Sequence, residues 1–270
     1  MVARAKKAAA SPDTGTTLVW PNDVKTLAID VGGTGLKGSV LDSNGVMIAD
    51  RVKIATPYPC PPEVLIKNLK DIAAQLPEYH RVSVGFPGLV RNGRVFNIPA
   101  LSRQVYGGPE DPGLATQWAG YDLASALAKA FKVPVKVAND ADVQGCAAVK
   151  GEGFEFVLTL GTGAGTALFS NGKLLPHMEL GHAPFRKATF EDYLGNSARK
   201  SQGNKTWEKR VLEAIGAYNQ FLFFDHIYIG GGNGKRLENL NLGPNVTIVP
   251  NTAGILGGIR IWDLDDTPTA

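Results

Sequence analysis

The chain has 270 residues, 44% of them hydrophobic and 20% charged, with a formal net charge of +3. That is enough apolar material for a folded core of one or two domains, and it excludes a chain disordered throughout. The mild positive balance does not by itself make a nucleic-acid binder, although clustered cations would suit an anionic substrate.

Residues 1–24 are expected to form a flexible N-terminal tail. Arg4, Lys6 and Lys7 precede an apolar run at 8–10 that is too short for a signal-peptide core. No apolar stretch approaches membrane-spanning length. The expected location is the cytoplasm, with neither nucleic acid nor membrane as a partner.

The first strongly patterned stretch is Leu27-Ala28-Ile29-Asp30-Val31-Gly32-Gly33-Thr34-Gly35-Leu36-Lys37-Gly38. An apolar, strand-like run delivers one carboxylate into a glycine-rich turn, and a second apolar run follows at once. The pattern predicts a β-hairpin whose turn offers backbone N–H groups, a hydroxyl and Lys37 to an anion, glycine allowing a phosphate close to the backbone. It is not a Walker A loop, whose glycine spacing differs, nor a Rossmann fingerprint, because a strand rather than a helix follows. A tight hairpin with a solvated Lys37 is the plainer reading of one such turn taken alone.

Asn44-Gly45 marks a further turn, and residues 46–56 read as a strand. The proline-rich segment 57–62 is a stiff linker that ends with Pro62 in the first turn of a helix. Leu65, Leu69, Ile72 and Leu76 make that helix's apolar face, and Pro77 ends it. Residues 81–85 read as a strand and 86–88 as a turn. From 90 to 120 the pattern is lost. This segment holds Arg91, Arg94 and Arg103, and a loop of that length is usually functional or disordered; its portion 102–117 matches no recognisable motif.

Asp122 can cap a helix reaching Phe131. Residues 134–138 form a strand that ends in Asn139-Asp140-Ala141-Asp142, and a helix with Val143, Cys146, Ala147 and Val149 follows. The two cysteines, Cys60 and Cys146, lack metal-ligand or redox spacing and read as a loop thiol and a small buried hydrophobe. A strand at 154–160 then enters Gly161-Thr162-Gly163-Ala164-Gly165-Thr166, and a strand leaves it, making a second glycine hairpin. Asn171-Gly172 is a turn, 191–200 is expected to be helical, and the longest helix is 207–224, with Trp207, Val211, Ile215, Tyr218 and Leu222 on one face. A strand at 226–229 leads into Gly230-Gly231-Gly232-Asn233-Gly234, followed by a strand at 246–249 and a helix at 253–262. Both halves begin with strand, glycine turn and strand. The expectation is an α/β duplication with lobes 25–138 and 139–270 around a central cleft.

Two glycine turns facing each other could grip one phosphate chain, since phosphoryl transfer is mostly positioning and charge stabilisation. Asp30 beside the first turn is either a Mg²⁺ partner or a carboxylate bracing the turn. Asp140, at the C-terminal end of a strand, could accept a proton from an attacking sugar hydroxyl. It could equally cap the helix it precedes, and spacing alone favours capping. Asp142 is expected to be solvated or capping. Glu179 and His182 could bridge vicinal sugar hydroxyls; Glu191-Asp192 could reach the same ligand or be ordinary helix N-terminal charge. Arg186, Lys187, Arg199, Lys200, Lys205, Lys209 and Arg210 are the densest cations, either a solvated face or a track for a long polyanion.

With these residues named, the chain resembles the ROK branch of the sugar kinases, which has the actin-like ATPase (ribonuclease H-like) fold. The resemblance is carried by Ile29-Asp30-Val31-Gly32-Gly33-Thr34, Gly85-Phe86-Pro87-Gly88, Val137-Ala138-Asn139-Asp140-Ala141, Leu160-Gly161-Thr162-Gly163, Glu179-Leu180-Gly181-His182 and Gly230-Gly231-Gly232, in family order. Gly35-Leu36-Lys37-Gly38, Glu191-Asp192-Tyr193 and Trp207-Glu208 are similar to those of its polyphosphate-using glucokinases and glucomannokinases. The resemblance implies a kinase that phosphorylates glucose, with mannose left open, from polyphosphate and ATP with Mg²⁺. It implies Asp140 as catalytic base; Gly88, Asn139, Asp140, Glu179, His182 and Glu191 on the sugar; Gly32, Gly33, Thr34, Lys37, Gly161, Thr162 and Gly163 on phosphates; Gly231 and Gly232 at the nucleotide; Asp30 toward the metal; and Arg199, Lys200, Lys205 and Lys209 as a polyphosphate track. The cysteine-rich zinc motif of many ROK proteins is absent after Gly181-His182, and no helix-turn-helix precedes Leu27, unlike in ROK repressors. The alternatives are an ATP-only hexokinase for another sugar and a non-catalytic sugar sensor. Monomer and homodimer are both open.

Overall fold

The computed structural model describes residues 20–250 and 253–263. The expected tail therefore lies outside the described residues up to position 19. The first apolar run forms β1, Thr26–Val31, which turns through the glycines into β2, Gly35–Leu41, with Asp30 opposite Lys37. β3, Val52–Ala55, pairs with the outer edge of β2. Pro62 opens α1, Pro62–Ala73, whose Leu65, Leu69 and Ile72 are buried against this sheet. Truncating any of them to Ala would cost about 2–5 kcal/mol. β4, Arg81–Phe86, then runs parallel to β1.

A small hairpin follows, β5, Leu89–Arg91, with β6, Arg94–Asn97. Next come α2, Pro112–Trp118, and α3, Leu123–Phe131. β7, Val135–Asn139, runs parallel beside β4, and α4, Asp140–Ala148, leaves from its end.

The second half repeats the plan. β8, Phe154–Leu160, and β9, Ala164–Ser170, make the second glycine hairpin, and β10, Lys173–Leu174, edges it. A short ribbon, β11, Pro184–Phe185, and β12, Ala188–Thr189, leads into α5, Phe190–Leu194, α6, Asn196–Gln202, and α7, Asn204–Leu222. β13, His226–Gly230, and β14, Val246–Ile248, add parallel strands, and α8, Ala253–Asp263, is the last described helix. The sheets run β3-β2-β1-β4-β7 and β10-β9-β8-β13-β14. In each, a hairpin is extended by two parallel strands, so the duplication is present in the topology.

The two sheets are tied by exchanged helices. Val143 and Cys146 of α4 pack with Val157, Ala167 and Phe169 of the second sheet. Ile259 of α8 packs with Ala28 and Leu41 of the first, and Ser83 Oγ donates to the Gly258 carbonyl. α4 and α8 also pack on each other. The cleft opens at the C-terminal ends of β1, β4, β7 and β8, where the glycine turns lie.

Several sequence expectations need correction. Residues 46–51 form no continuous strand: Asp42 accepts hydrogen bonds from the N–H groups of Asn44 and Val46, Met47 makes only an isolated bridge to Leu41 with Ile48 N–H donating to Val40 O, and regular pairing resumes at Val52. α1 stops at Ala73, so Leu76 packs on the core from beyond the helix end. Cys60 is fully buried, its carbonyl accepting from Trp118 Nε1. Residues 90–120 are ordered by partners distant in sequence, such as Gly120 N–H to Val95 O. The single helix expected at 191–200 is two, α5 and α6, broken at Gly195, where a Cβ would press on the carbonyls of Thr162 and Glu191.

Candidate active site

A cleft of about 740 Å³ lies between the two halves. The first glycine turn lines one wall. Thr56 Oγ1 donates to Gly32 O at 2.5 Å and Tyr58 Oη donates to Gly33 O at 2.7 Å, so the turn's carbonyls are held back by the end of β3 and the linker. Cross-strand pairing brings Lys37 Nζ to 2.7 Å from Asp30 Oδ2, each side chain about one-third exposed.

The second turn lines the opposite wall. Asn196 N–H donates to both Gly161 O and Thr162 O at 3.1 Å, and Asn233 Nδ2 reaches Gly161 O at 3.4 Å. A Cβ on Gly163 would lie 2.6 Å from Glu191 Oε2, so this glycine leaves the space the carboxylate occupies.

Asp140 stands on the floor between these walls, at the junction of β7 and α4. Asn139 is the helix cap, its Oδ1 accepting from Ala141 N–H at 2.8 Å and its Nδ2 donating to Gly88 O at 3.0 Å. The capping reading thus passes mainly to Asn139, although Asp140 Oδ1 also accepts from Ala141 N–H at 2.9 Å. The Asp140 side chain is open to the cleft, but the floor is deeply recessed. That recess pushes its carboxyl up to about 7, with the charge of Asp30 adding to the effect and those of Glu179 and Asp142 contributing. A carboxyl poised near neutrality suits a general base.

Of the two readings of Asp142, capping holds, since its carboxylate accepts from the backbone N–H of Asn139, and solvation does not: it is 3% exposed, and its Oδ1 sits 3.0 Å from Nδ1 of His177, itself 5% exposed. His177 Nε2 in turn lies 3.4 Å from Glu179 Oε1. The segment carrying Glu179 is fixed to β9: Leu180 N–H donates to Thr166 Oγ1, Thr166 Oγ1 donates to Met178 O, and a Cβ on Gly181 would strike the Ala164 carbonyl. His182 Nε2 lies 3.7 Å from Glu191 Oε2, both half-exposed to the cleft.

The cleft therefore gathers Asp30, Gly32, Gly33, Thr34, Lys37, Gly88, Asn139, Asp140, Gly161, Thr162, Gly163, Glu179, His182, Glu191, Gly231 and Gly232, all singled out from the sequence. Gly231 and Gly232 also line an adjoining hollow of about 270 Å³ with Lys235 and Pro250. Arg199, Lys200, Lys205 and Lys209 are not among the cleft residues, and Arg199 is bonded to the side chains of Asn196 and Asn204. Arg51, Arg103 and Tyr106 line the cleft instead. Of these, the sequence pointed only to Arg103, as part of the unpatterned 90–120 segment, because all three sit on irregular loops; His177 was not singled out, its only signal being its position two residues before Glu179.

No cluster of three or more His, Cys, Asp or Glu that could hold a metal is present among the described residues, nor any helix long and apolar enough to cross a membrane.

Comparison with known proteins fits this geometry. The model of the ROK family matches residues 26–198. Polyphosphate glucokinase of Mycobacterium tuberculosis is 28% identical over 272 residues, covering 95% of this chain and 98% of that protein. The polyphosphate glucokinase of Mycobacterium leprae is 29% identical over 254 residues, 88% of this chain and 75% of that one. Inorganic polyphosphate/ATP-glucomannokinase from Arthrobacter sp. strain KM has a similar structure, with a TM-score of 0.75 and 28% identity over 90% of this chain and 100% of that one. A ROK family glucokinase from Streptomyces griseus, solved with glucose and AMPPNP, shares the fold at a TM-score of 0.66 and 17% identity, over 88% of this chain and 98% of that one.

Proposed function

This chain belongs to the ROK family and has the actin-like ATPase fold, and on that premise we propose that it transfers the terminal phosphoryl group of inorganic polyphosphate, and of ATP, to the 6-hydroxyl of glucose. The observation that carries the reading is the placement of Asp140: a carboxyl at the junction of β7 and α4, on the floor of a cleft walled by two glycine turns. The likeness to polyphosphate glucokinase over nearly the whole chain supports glucose and polyphosphate as substrates, and the likeness to a glucomannokinase supports mannose as a second acceptor.

In this reading Glu179, His182 and Glu191 hold the sugar hydroxyls from the second half. Asn139 fixes the Gly88 loop and the helix start beneath them. Asp140 takes the proton of the 6-hydroxyl as that oxygen bonds to the terminal phosphorus and the bridging P–O bond to the rest of the donor breaks. Backbone N–H groups of both turns and Lys37 offset the charge on the transferring group. Closure of the halves on the sugar would exclude water and limit hydrolysis. Asp30 fits Mg²⁺, which commonly takes only one or two protein carboxylates with phosphates and water completing its shell, and its pairing with Lys37 marks a position that accepts positive charge. Bound Mg²⁺ would supply neutralisation of the donor phosphates. Arg51 and Arg103 line the cleft and would meet a long anionic donor, a role for which the sequence had suggested the cations at 199–209. The location proposed is the cytoplasm.

The test is glucose 6-phosphate formation by the purified chain with Mg²⁺, comparing long-chain polyphosphate with ATP at matched phosphoryl concentration. Activity with polyphosphate is expected. Activity with ATP alone would leave an ATP-only hexokinase. No activity with either donor, but intact sugar binding, would leave a non-catalytic sugar sensor.

A further inference from the structure

Beneath the sugar-facing groups lies a buried polar line that the proposed reaction does not use directly. His177 is sealed from solvent between Asp142 on α4 and Glu179 on the segment after β10. Its Nδ1 meets Asp142 Oδ1 at 3.0 Å. Its Nε2 is buried, points toward Glu179 Oε1 at 3.4 Å, and has no well-aligned hydrogen bond. An imidazole with a carboxylate at each nitrogen can donate to both only as the imidazolium. Buried carboxylates in turn need a counter-charge or a donor.

We propose that His177 is a permanently protonated positioning residue, which Asp142 holds charged and which fixes Glu179 in its sugar-binding orientation. The inference rests on the functional reading above, because it assigns the sugar contact to Glu179. Glu179 lines the cleft while its back oxygen faces His177. The loosely aligned Nε2–H leaves room for that contact to tighten when a sugar draws the carboxylate forward. The arrangement also sets one buried cation between the carboxylates of Asp142 and Glu179.

The electrostatics of His177 and Glu179 agree, while burial holds the Asp142 carboxyl above its ordinary range against the opposing pull of His177. Burial alone would lower the His177 pKa, but the hydrogen bond to Asp142 and the Glu179 carboxylate facing Nε2 outweigh it and push it up to about 9. The His177 bond holds Glu179 below the usual carboxylate range against the opposing effect of burial. The charged groups facing this line are Asp142 from α4, Asp140 at the start of the same helix, Glu179 and His182 on the segment itself, and Arg91 from β5, whose Nη2 donates to His177 O at 3.3 Å.

The experiment compares wild type, His177→Gln and Asp142→Asn on the full chain, each first checked for a cooperative melt. Glucose KM and calorimetric glucose affinity are measured beside the donor KM from pH 6 to 8.5. The ring nitrogens of His177 are followed by ¹⁵N NMR. The expected result is a His177 protonated on both nitrogens at pH 7.5 in wild type, and an approximately tenfold rise in glucose KM for His177→Gln with the donor KM within twofold. Asp142→Asn keeps the shape but lowers the His177 pKa. Its glucose KM should be near normal at pH 6 and rise as pH increases and His177 loses its proton, whereas wild type stays flat over this range.

A neutral His177 at pH 7.5 in wild type overturns the proposal, as does a His177→Gln chain with wild-type glucose affinity, or glucose and donor KM values that move together. If His177→Gln does not fold, the Asp142→Asn pH dependence and the wild-type NMR decide alone. A wild-type chain that neither binds nor phosphorylates glucose overturns the functional reading and this proposal with it, while active wild type with unaltered variants overturns this proposal only.

Discussion

The two glycine turns do related work with different chemistry. In the first, the strand pair beside the turn carries Asp30 opposite Lys37, and the turn is braced by hydroxyls of Thr56 and Tyr58. In the second, the corresponding pair is Thr159 opposite Gly165, and the turn is braced by Asn196 and Asn233. One wall is charged and the other is neutral. The neutral wall instead adjoins the sugar-side carboxylate Glu191 through the space left at Gly163. On the proposed reading, the duplicated hairpin is divided into a half that manages donor charge and a half that seats the acceptor, with Asp140 between them.

The largest expected effect is at that shared position. Asp140→Asn should lower kcat about 10³-fold while glucose still binds calorimetrically. The same variant should melt at a higher temperature at pH 8. The carboxyl's folded-state pKa, about 7, exceeds its ordinary value of 3.8, so the folded chain holds the proton more tightly. Ionising it costs stability as pH rises toward 7, and that cost is fully present above it. Asn removes the cost. Unchanged turnover would show that Asp140 is not the base.

Lys37→Met comes next and probes the charged wall. It should lower kcat by about 10²-fold with little change in glucose KM. A sugar-specific defect would break the division of labour. Gly163→Ala against Gly33→Ala compares the walls by one substitution. The new Cβ at 163 displaces Glu191, so glucose KM should rise about tenfold, near 1.4 kcal/mol. At Gly33 the nearest atom is Tyr58 Oη at 3.6 Å, an ordinary contact, and kinetics should stay within about twofold. The smallest effect should fall on the donor's entrance. Arg51→Gln should raise polyphosphate KM about threefold at low salt and less at high salt, whereas Lys205→Gln, away from the cleft, should leave it unchanged.

Sequence patterning carried the parts of the fold whose signals are local. Both hairpins show an apolar run entering glycines, and the faces of α1 and α7 show helical spacing at Leu65-Leu69-Ile72 and Trp207-Val211-Tyr218. The short elements between 89 and 118 escaped because tertiary partners define them, although Asp111-Pro112 is a helix-start signature that would have located α2; Asp111 caps Leu114 N–H at 2.9 Å. The capping role of Asp142 was legible within α4, but its burial was not, for the same reason. Its environment is set by His177, 35 positions away, and nothing within α4 signals that partner. Arg51 and Arg103 reach the cleft by the path of irregular backbone, which periodicity does not encode.

On the proposed reading, the Asp140 carboxyl, poised near neutrality between a charged and a neutral turn, is the general base. The pH dependence of kcat/KM for glucose at saturating donor tests it most directly, since that ratio reports the groups of the form that meets the sugar. Wild type should lose activity about tenfold per pH unit as pH falls below about 7, with a plateau above, as Asp140 takes up its proton. A flat profile from pH 5.5 to 8 would contradict the claim.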